Sequence, residues 1–84
     1  MKTATIYTTA ICPYCTRAKK ILVSKGISFQ EIDVTDNDAA REQLVKDSGG
    51  AKTVPQIWIG DEHVGGCGDL EELIDEGRLE ALLA

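Results

Sequence analysis

This chain has little with which to hold a nucleic acid, cross a membrane or staple a secreted fold. Its formal charge is −5, whereas a nucleic-acid surface normally needs a basic patch. No stretch approaches the ~20 apolar residues of a membrane helix. Lys2 is followed by a short run containing Thr and Tyr, not by the apolar core of a signal peptide. Three cysteines are too few, and too odd in number, for a secreted disulfide framework. One histidine and a single close pair of cysteines leave a structural zinc site short of ligands, so no metal is expected. Repeats, linkers and low-complexity segments are also missing. What remains, with 43% hydrophobic and 27% charged residues, is the composition of a soluble globular protein. Its 84 residues suit one domain, 1–84, with a modest core and a reducing cytoplasm as its expected compartment.

Residues 4–8 are β-branched and alternating and predict a strand. From Pro13 the pattern turns helical. Proline suits a first helical position, Ala18, Ile21 and Leu22 form an apolar stripe, and Gly26 stops the helix after about Lys25. Residues 27–34 predict a second strand, with Ile27 and Phe29 on one face and Ile32 and Val34 on the other after a register change. Asp36, Asn37 and Asp38 supply N-cap chemistry for a helix from about Ala39 to Asp47. Its inner face is Ala40, Leu44 and Val45, and Gly49-Gly50 ends it.

Residues 56–59 predict a third strand, and Gly60-Asp61 turns the chain into a short fourth strand around His63-Val64. Trp58 and Phe29 read as core aromatics and His63 as strand surface. A last helix begins near Asp69, carrying Leu70, Leu73 and Ile74. A terminal turn after Gly77 adds Leu79, Leu82 and Leu83. The order β-α-β-α-β-β-α implies an α/β fold, with helices packed on one sheet of mixed pairing.

The chemistry concentrates at the first strand-to-helix junction, Cys12-Pro13-Tyr14-Cys15. A thiol just before a helix lies where free backbone N–H groups and the helix dipole favour negative charge. Thiolate is the reactive form of cysteine, which makes Cys12 the candidate nucleophile for thiol–disulfide exchange. Pro13 has no N–H, so later amides of the turn must provide the stabilisation. Cys15 lies one turn further on the same face and should be more shielded, as suits a resolving thiol. The basic residues Arg17, Lys19, Lys20 and Lys25 follow, either as a locally positive end or as a solvated helix face.

Two further segments can bind. Val54-Pro55 enters the third strand: a cis bond there would turn the Val54 backbone outward as a pairing edge, and a trans bond would simply end a loop. Gly65-Gly66-Cys67-Gly68-Asp69 leads into the last helix. Free amides there can hold a carboxylate and Asp69 an ammonium group, or Asp69 is a plain N-cap. Cys67 reads as a small packed side chain.

Together, Cys12-Pro13-Tyr14-Cys15, the run Thr53-Val54-Pro55-Gln56-Ile57-Trp58-Ile59-Gly60 and Gly65-Gly66-Cys67-Gly68-Asp69-Leu70 resemble a small bacterial dithiol glutaredoxin, from about Ala4 to Leu83. The resemblance implies the minimal thioredoxin fold, a four-stranded mixed sheet flanked by helices. It also implies an oxidoreductase that reduces protein–glutathione mixed disulfides and protein disulfides. Cys12 would attack and become glutathionylated, and Cys15 would resolve the dithiol route. Val54, before a cis Pro55, would pair with the cysteinyl part of glutathione, and Tyr14 and Thr53 would line the groove. Gly66, Cys67, Gly68 and Asp69 would hold the γ-glutamyl end. Glutathione would be the cosubstrate, with no tightly bound cofactor. The partners would be glutathionylated or disulfide-bonded proteins and, through glutathione, glutathione reductase; the chain would act as a monomer.

Two positions depart from the family pattern. Thr9 stands where many relatives carry Lys, so the Cys12 thiol should be less acidic than theirs unless Lys52, Arg41 or Arg17 substitutes. Gly68 stands where Asp, Ser or Thr is usual, which removes a side-chain hydrogen bond worth roughly 0.5–1.5 kcal/mol. The alternative function within reach of this resemblance is a glutathione-ligated iron–sulfur carrier. Relatives in that role usually have one active-site cysteine.

Overall fold

The computed structural model describes residues 2–84. The strands are β1 (Ala4–Thr8), β2 (Phe29–Asp33), β3 (Gln56–Ile59) and β4 (Glu62–Gly65). The helices are α1 (Pro13–Ser24), α2 (Asp38–Asp47), α3 (Cys67–Asp75) and α4 (Leu79–Leu83). One four-stranded sheet runs in the order β2-β1-β3-β4. β1 pairs parallel with β2 and antiparallel with β3, and β3 pairs antiparallel with β4, so the sheet is mixed.

Strand alternation sends side chains to two different cores. Ala4, Ile6, Ile57 and Ile59 meet Ala18 and Leu22 of α1, Leu70 and Leu73 of α3, and Leu79 and Leu83 of α4. Tyr7 and Val34 meet Leu44 of α2 on the opposite face, with Ile32, Ala40, Val54 and Trp58 around them. Burial of each large aliphatic side chain stabilises the fold by about 1.5–3 kcal/mol. The larger core thus joins α1 and α3, the helices whose N-termini carry the two glycine- or cysteine-bearing turns.

Several expectations shift in detail. β2 and the residues flanking it put Ile27 and Phe29 in one core and Ile32 and Val34 in the other, but with continuous pairing from Phe29 to Asp33. No register change is needed, because odd and even positions already face opposite ways. α2 starts at Asp38 with Asn37 as N-cap, whose Oδ1 accepts the Ala40 N–H at 3.1 Å. Val45 turns to a surface groove it shares with Arg41, Lys46 and Lys52. Trp58 and Phe29 are half-buried rather than core residues. α3 begins at Cys67, two residues before the expected Asp69, and the terminal turn is the helix α4. Among the described residues no helix is long and apolar enough to cross a membrane.

Candidate functional site

β1 runs out at Thr8, and hydrogen bonds from β2 hold the loop that follows. The Thr8 hydroxyl donates to Glu31 Oε2 at 2.7 Å, and Lys19 of α1 donates to the same oxygen at 3.0 Å. These two bonds, Thr8 first, hold the Glu31 carboxyl below its usual range. One turn of chain further on, the Ala10 N–H donates to Thr35 Oγ1 at 2.7 Å. The Thr35 N–H in turn donates to Asp33 Oδ1 at 2.8 Å, and hydrogen bonding to Thr35 lowers the Asp33 pKa. The chain leaving β1 is therefore tied down at Thr8 and again at Ala10, two residues before Cys12.

Cys12 is the N-cap of α1, in extended backbone, with Pro13 as the first helical residue. Its Sγ accepts the Cys15 N–H at 3.1 Å. That is an amide which Pro13 cannot supply and which no helical carbonyl reaches. Cys12 is half-buried, whereas Cys15 is 1% exposed beneath it. The two sulfurs are joined as a disulfide, with Cα atoms 5.2 Å apart. The Cys15 amide and the positive end of the helix dipole favour negative charge at the outer sulfur.

The loop before β3 meets this turn directly. The Val54–Pro55 peptide is cis, and the Val54 carbonyl oxygen lies 3.9 Å from Cys12 Sγ. Among the described residues the Val54 N–H has no backbone partner. The turn before α3 closes the other side. A Cβ placed on Gly66 would lie 3.6 Å from the Pro55 carbonyl oxygen, so these two loops are in contact distance. Cys12, Val54, Pro55 and Gly66 thus converge at one end of the sheet.

Asp69 is the third residue of α3, not its N-cap. Gly66 occupies that place, and Asp69 Oδ2 accepts the Gly66 N–H at 2.8 Å. This is the carboxylate half of a capping box; Gly66 has no side chain for the other half. Gly65 takes φ +116°, and a Cβ there would run into the Asp69 carboxylate, 2.8 Å from its Cγ. Gly68 is exposed, and nothing lies within 4 Å of a Cβ built on it.

The remaining expected residues are placed less uniformly. Tyr14 is 63% exposed beside the cysteines. Cys67 is buried, with Sγ 3.5 Å from Glu71 Oε1. Burial, then the neighbouring Glu71, pushes its thiol pKa up. Its side chain therefore belongs to the core, and only its backbone is at the turn. Thr53 is exposed, and its hydroxyl accepts from Gln56 Nε2 at 3.3 Å. Gln56 was not anticipated as part of this region; its one signal was a polar residue heading an otherwise apolar strand.

Two of the cations expected to stand in for a lysine at position 9 are engaged elsewhere. Arg17 pairs with Glu71 at 2.6 Å, and Arg41 donates to the Val34 carbonyl at 3.3 Å. Thr9 makes only a long contact to the Ile11 carbonyl, 3.5 Å. Lys52 is exposed on the rim of the α2 groove.

The family described as Glutaredoxin matches residues 4–64. A glutaredoxin of Pseudomonas aeruginosa is 52% identical over 84 residues, covering 100% of this chain and 99% of that protein. Glutaredoxin 3 of Escherichia coli K12 is 52% identical over 83 residues, covering 99% of both. Among solved structures, a buckwheat glutaredoxin–glutathione complex superposes with a TM-score of 0.86 at 32% identity. The superposition covers 98% of this chain and 76% of the buckwheat chain.

Proposed function

Because this chain belongs to the glutaredoxin family, we propose that it is a glutathione-dependent thiol–disulfide oxidoreductase working through Cys12 and Cys15. The observation that carries this reading is the asymmetry of the two sulfurs. Cys12 is half-buried with its Sγ capped by the Cys15 N–H, whereas Cys15 is fully buried behind it. An amide aimed at Sγ favours the thiolate over the thiol, and so lowers the barrier to attack on a disulfide.

In the glutathione route the Cys12 thiolate attacks the glutathione sulfur of a mixed disulfide. The Cys12–glutathione bond forms as the old S–S bond breaks, and the electron pair leaves with the protein thiolate, which takes a proton. A second glutathione thiolate then attacks the glutathione sulfur on Cys12, releasing oxidised glutathione and restoring the Cys12 thiolate. No cofactor is required, because glutathione supplies both electrons. With a protein disulfide, Cys12 forms a mixed disulfide with the substrate and Cys15 displaces it, leaving the Cys12–Cys15 bond. Glutathione then reduces that bond, and glutathione reductase acts only on the oxidised glutathione.

Substrate would lie where the three loops converge. The open Val54 N–H and the Val54 carbonyl give a strand-like edge for the cysteinyl residue of glutathione. Tyr14 and Thr53 would flank it. The amides of Cys67 and Gly68, at the start of α3, suit the γ-glutamyl carboxylate, and Asp69 suits its ammonium. Pro55 and Gly66 would shape the floor between them. A reducing cytoplasm containing glutathione is the compartment this chemistry needs, and the 84 residues would act as one monomeric domain.

NADPH consumption in the presence of glutathione, glutathione reductase and a glutathionylated peptide tests the proposal. Wild type should turn over, Cys12→Ser should be inactive, and Cys15→Ser should remain active. An inactive wild type would defeat it and bring the iron–sulfur carrier forward. Visible absorption after anaerobic purification would be the sign of that second function.

A further inference from the structure

The single histidine lies on β4, outside the converging loops, yet a chain of hydrogen bonds connects it to them. His63 is paired across the strands with Trp58, and the two rings stack at 4.5 Å with planes 24° apart. The stack fixes the imidazole in orientation. Its Nε2 lies 2.8 Å from Oε1 of Gln56, which is only 6% exposed. From the other end of the same side chain, Gln56 Nε2 reaches Thr53 Oγ1 at 3.3 Å. Among the described residues no buried side-chain polar atom lacks a partner, and Gln56 meets this condition through His63 and Thr53.

The polarity of this chain follows from which end of the Gln56 amide faces the histidine. With Oε1 toward His63, as here, the oxygen only accepts, and the bond is made when His63 carries its proton on Nε2. The amide N–H of Gln56 then faces Thr53, and the Thr53 oxygen is an acceptor. Its own O–H is then free to donate to another acceptor. With the proton on Nδ1 instead, Gln56 would turn over, its oxygen would take the Thr53 O–H, and the groove would lose that donor.

We propose that His63 is a positioning residue which, through Gln56, keeps the Thr53 hydroxyl available as a hydrogen-bond donor to a carbonyl or carboxylate oxygen of glutathione. The inference rests on the proposed function, in which Thr53 lines the glutathione groove. His63 touches no substrate; it selects which way a hydroxyl two links away can bond.

The test is a double-mutant cycle on apparent KM for glutathione in the reductase-coupled assay. His63→Phe keeps a ring to stack on Trp58 and lacks the N–H. It should raise KM about 2- to 10-fold, the worth of one hydrogen bond, with kcat nearly unchanged. His63→Gln, which presents an N–H at similar reach, should recover part of that loss. Thr53→Val should raise KM by a similar factor, and adding His63→Phe to it should change little more. In wild type, ¹⁵N NMR of the one histidine should show the neutral ring protonated on Nε2, a readout that needs no variant to fold. An Nδ1-protonated ring, an unchanged KM in His63→Phe, or an undiminished His63→Phe effect in the Thr53→Val background would each overturn the inference while leaving an active wild type intact. A wild type without glutathione-dependent activity would overturn the function and the inference together.

Discussion

Three glycines around the turn into α3 look equivalent in the sequence, and the structure separates them. Gly65→Ala should be severe. At φ +116° an L-residue is strained by about 1–3 kcal/mol, and the new Cβ would meet the Asp69 carboxylate, which is held in place by the Gly66 N–H. Displacing that carboxylate also removes an N-terminal capping bond, for a combined loss of about 2–4 kcal/mol. In a domain of this size each kcal/mol moves Tm by about 4–8 °C, so a fall of roughly 8–32 °C is expected. Gly66→Ala meets only ordinary contacts, 3.6 and 3.8 Å, and should lose about 0.5–1 kcal/mol as a poorer N-cap. Gly68→Ala enters open space inside the helix and should gain up to about 1 kcal/mol from helix propensity. Urea unfolding of the three variants measures the order, and apparent KM for glutathione should rise in Gly65→Ala. Equal stabilities for Gly65→Ala and Gly68→Ala would refute the reasoning, since the same side chain is added at each.

The space at Gly68 has a functional counterpart. Gly68→Asp and Gly68→Thr should lower the glutathione KM by about 2- to 10-fold by restoring one side-chain hydrogen bond, and steady-state kinetics showing no gain in either would remove that explanation. Glu31 sits below its ordinary carboxyl pKa of 4.5, so its contribution to stability is complete above that pH and fades as the pH falls through the lower folded value. Glu31→Gln should therefore be destabilised at pH 7, by less than about 1 kcal/mol because the group is partly exposed, and the gap to wild type should shrink as the pH falls through the lowered folded value; a gap that stays constant in urea titrations down through that range would contradict this. Cys67 is buried with a raised thiol pKa, so mild alkylation of the reduced protein at neutral pH should modify Cys12 well before Cys67. Peptide mapping that finds Cys67 labelled first would show that its shielding is misjudged.

Much of this architecture was legible because short-range rules govern it. Proline at the start of α1, the β-branched alternation of β1 and the Asn37 cap of α2 each act within a few residues, and each element lies close to its expected place. The start of α3 was not so readable. Its N-cap is Gly66, which has no side chain to announce it, and Asp69 imitates a cap while serving as the third residue of the helix. Tertiary placement escaped for a different reason. Trp58 is half-buried because it packs against the buried Tyr7 on one side and an exposed histidine on the other, which no pattern along β3 encodes. Two of the three cations offered near Cys12 are engaged elsewhere for the same reason: the partners of Arg17 and Arg41 are Glu71 and Val34, brought close only by the fold. The cysteine pair was legible because its meaning lies in its junction, which the strand and helix signals on either side define.

The most direct test of the account is intact-mass and peptide mass spectrometry of the Cys15→Ser variant after exposure to a glutathionylated peptide. With the resolving sulfur removed, one glutathione should accumulate on Cys12, and fresh glutathione should remove it as oxidised glutathione. Glutathione found on Cys67, or no adduct while the free peptide thiol still appears, would contradict the assignment of Cys12 as the sulfur that attacks.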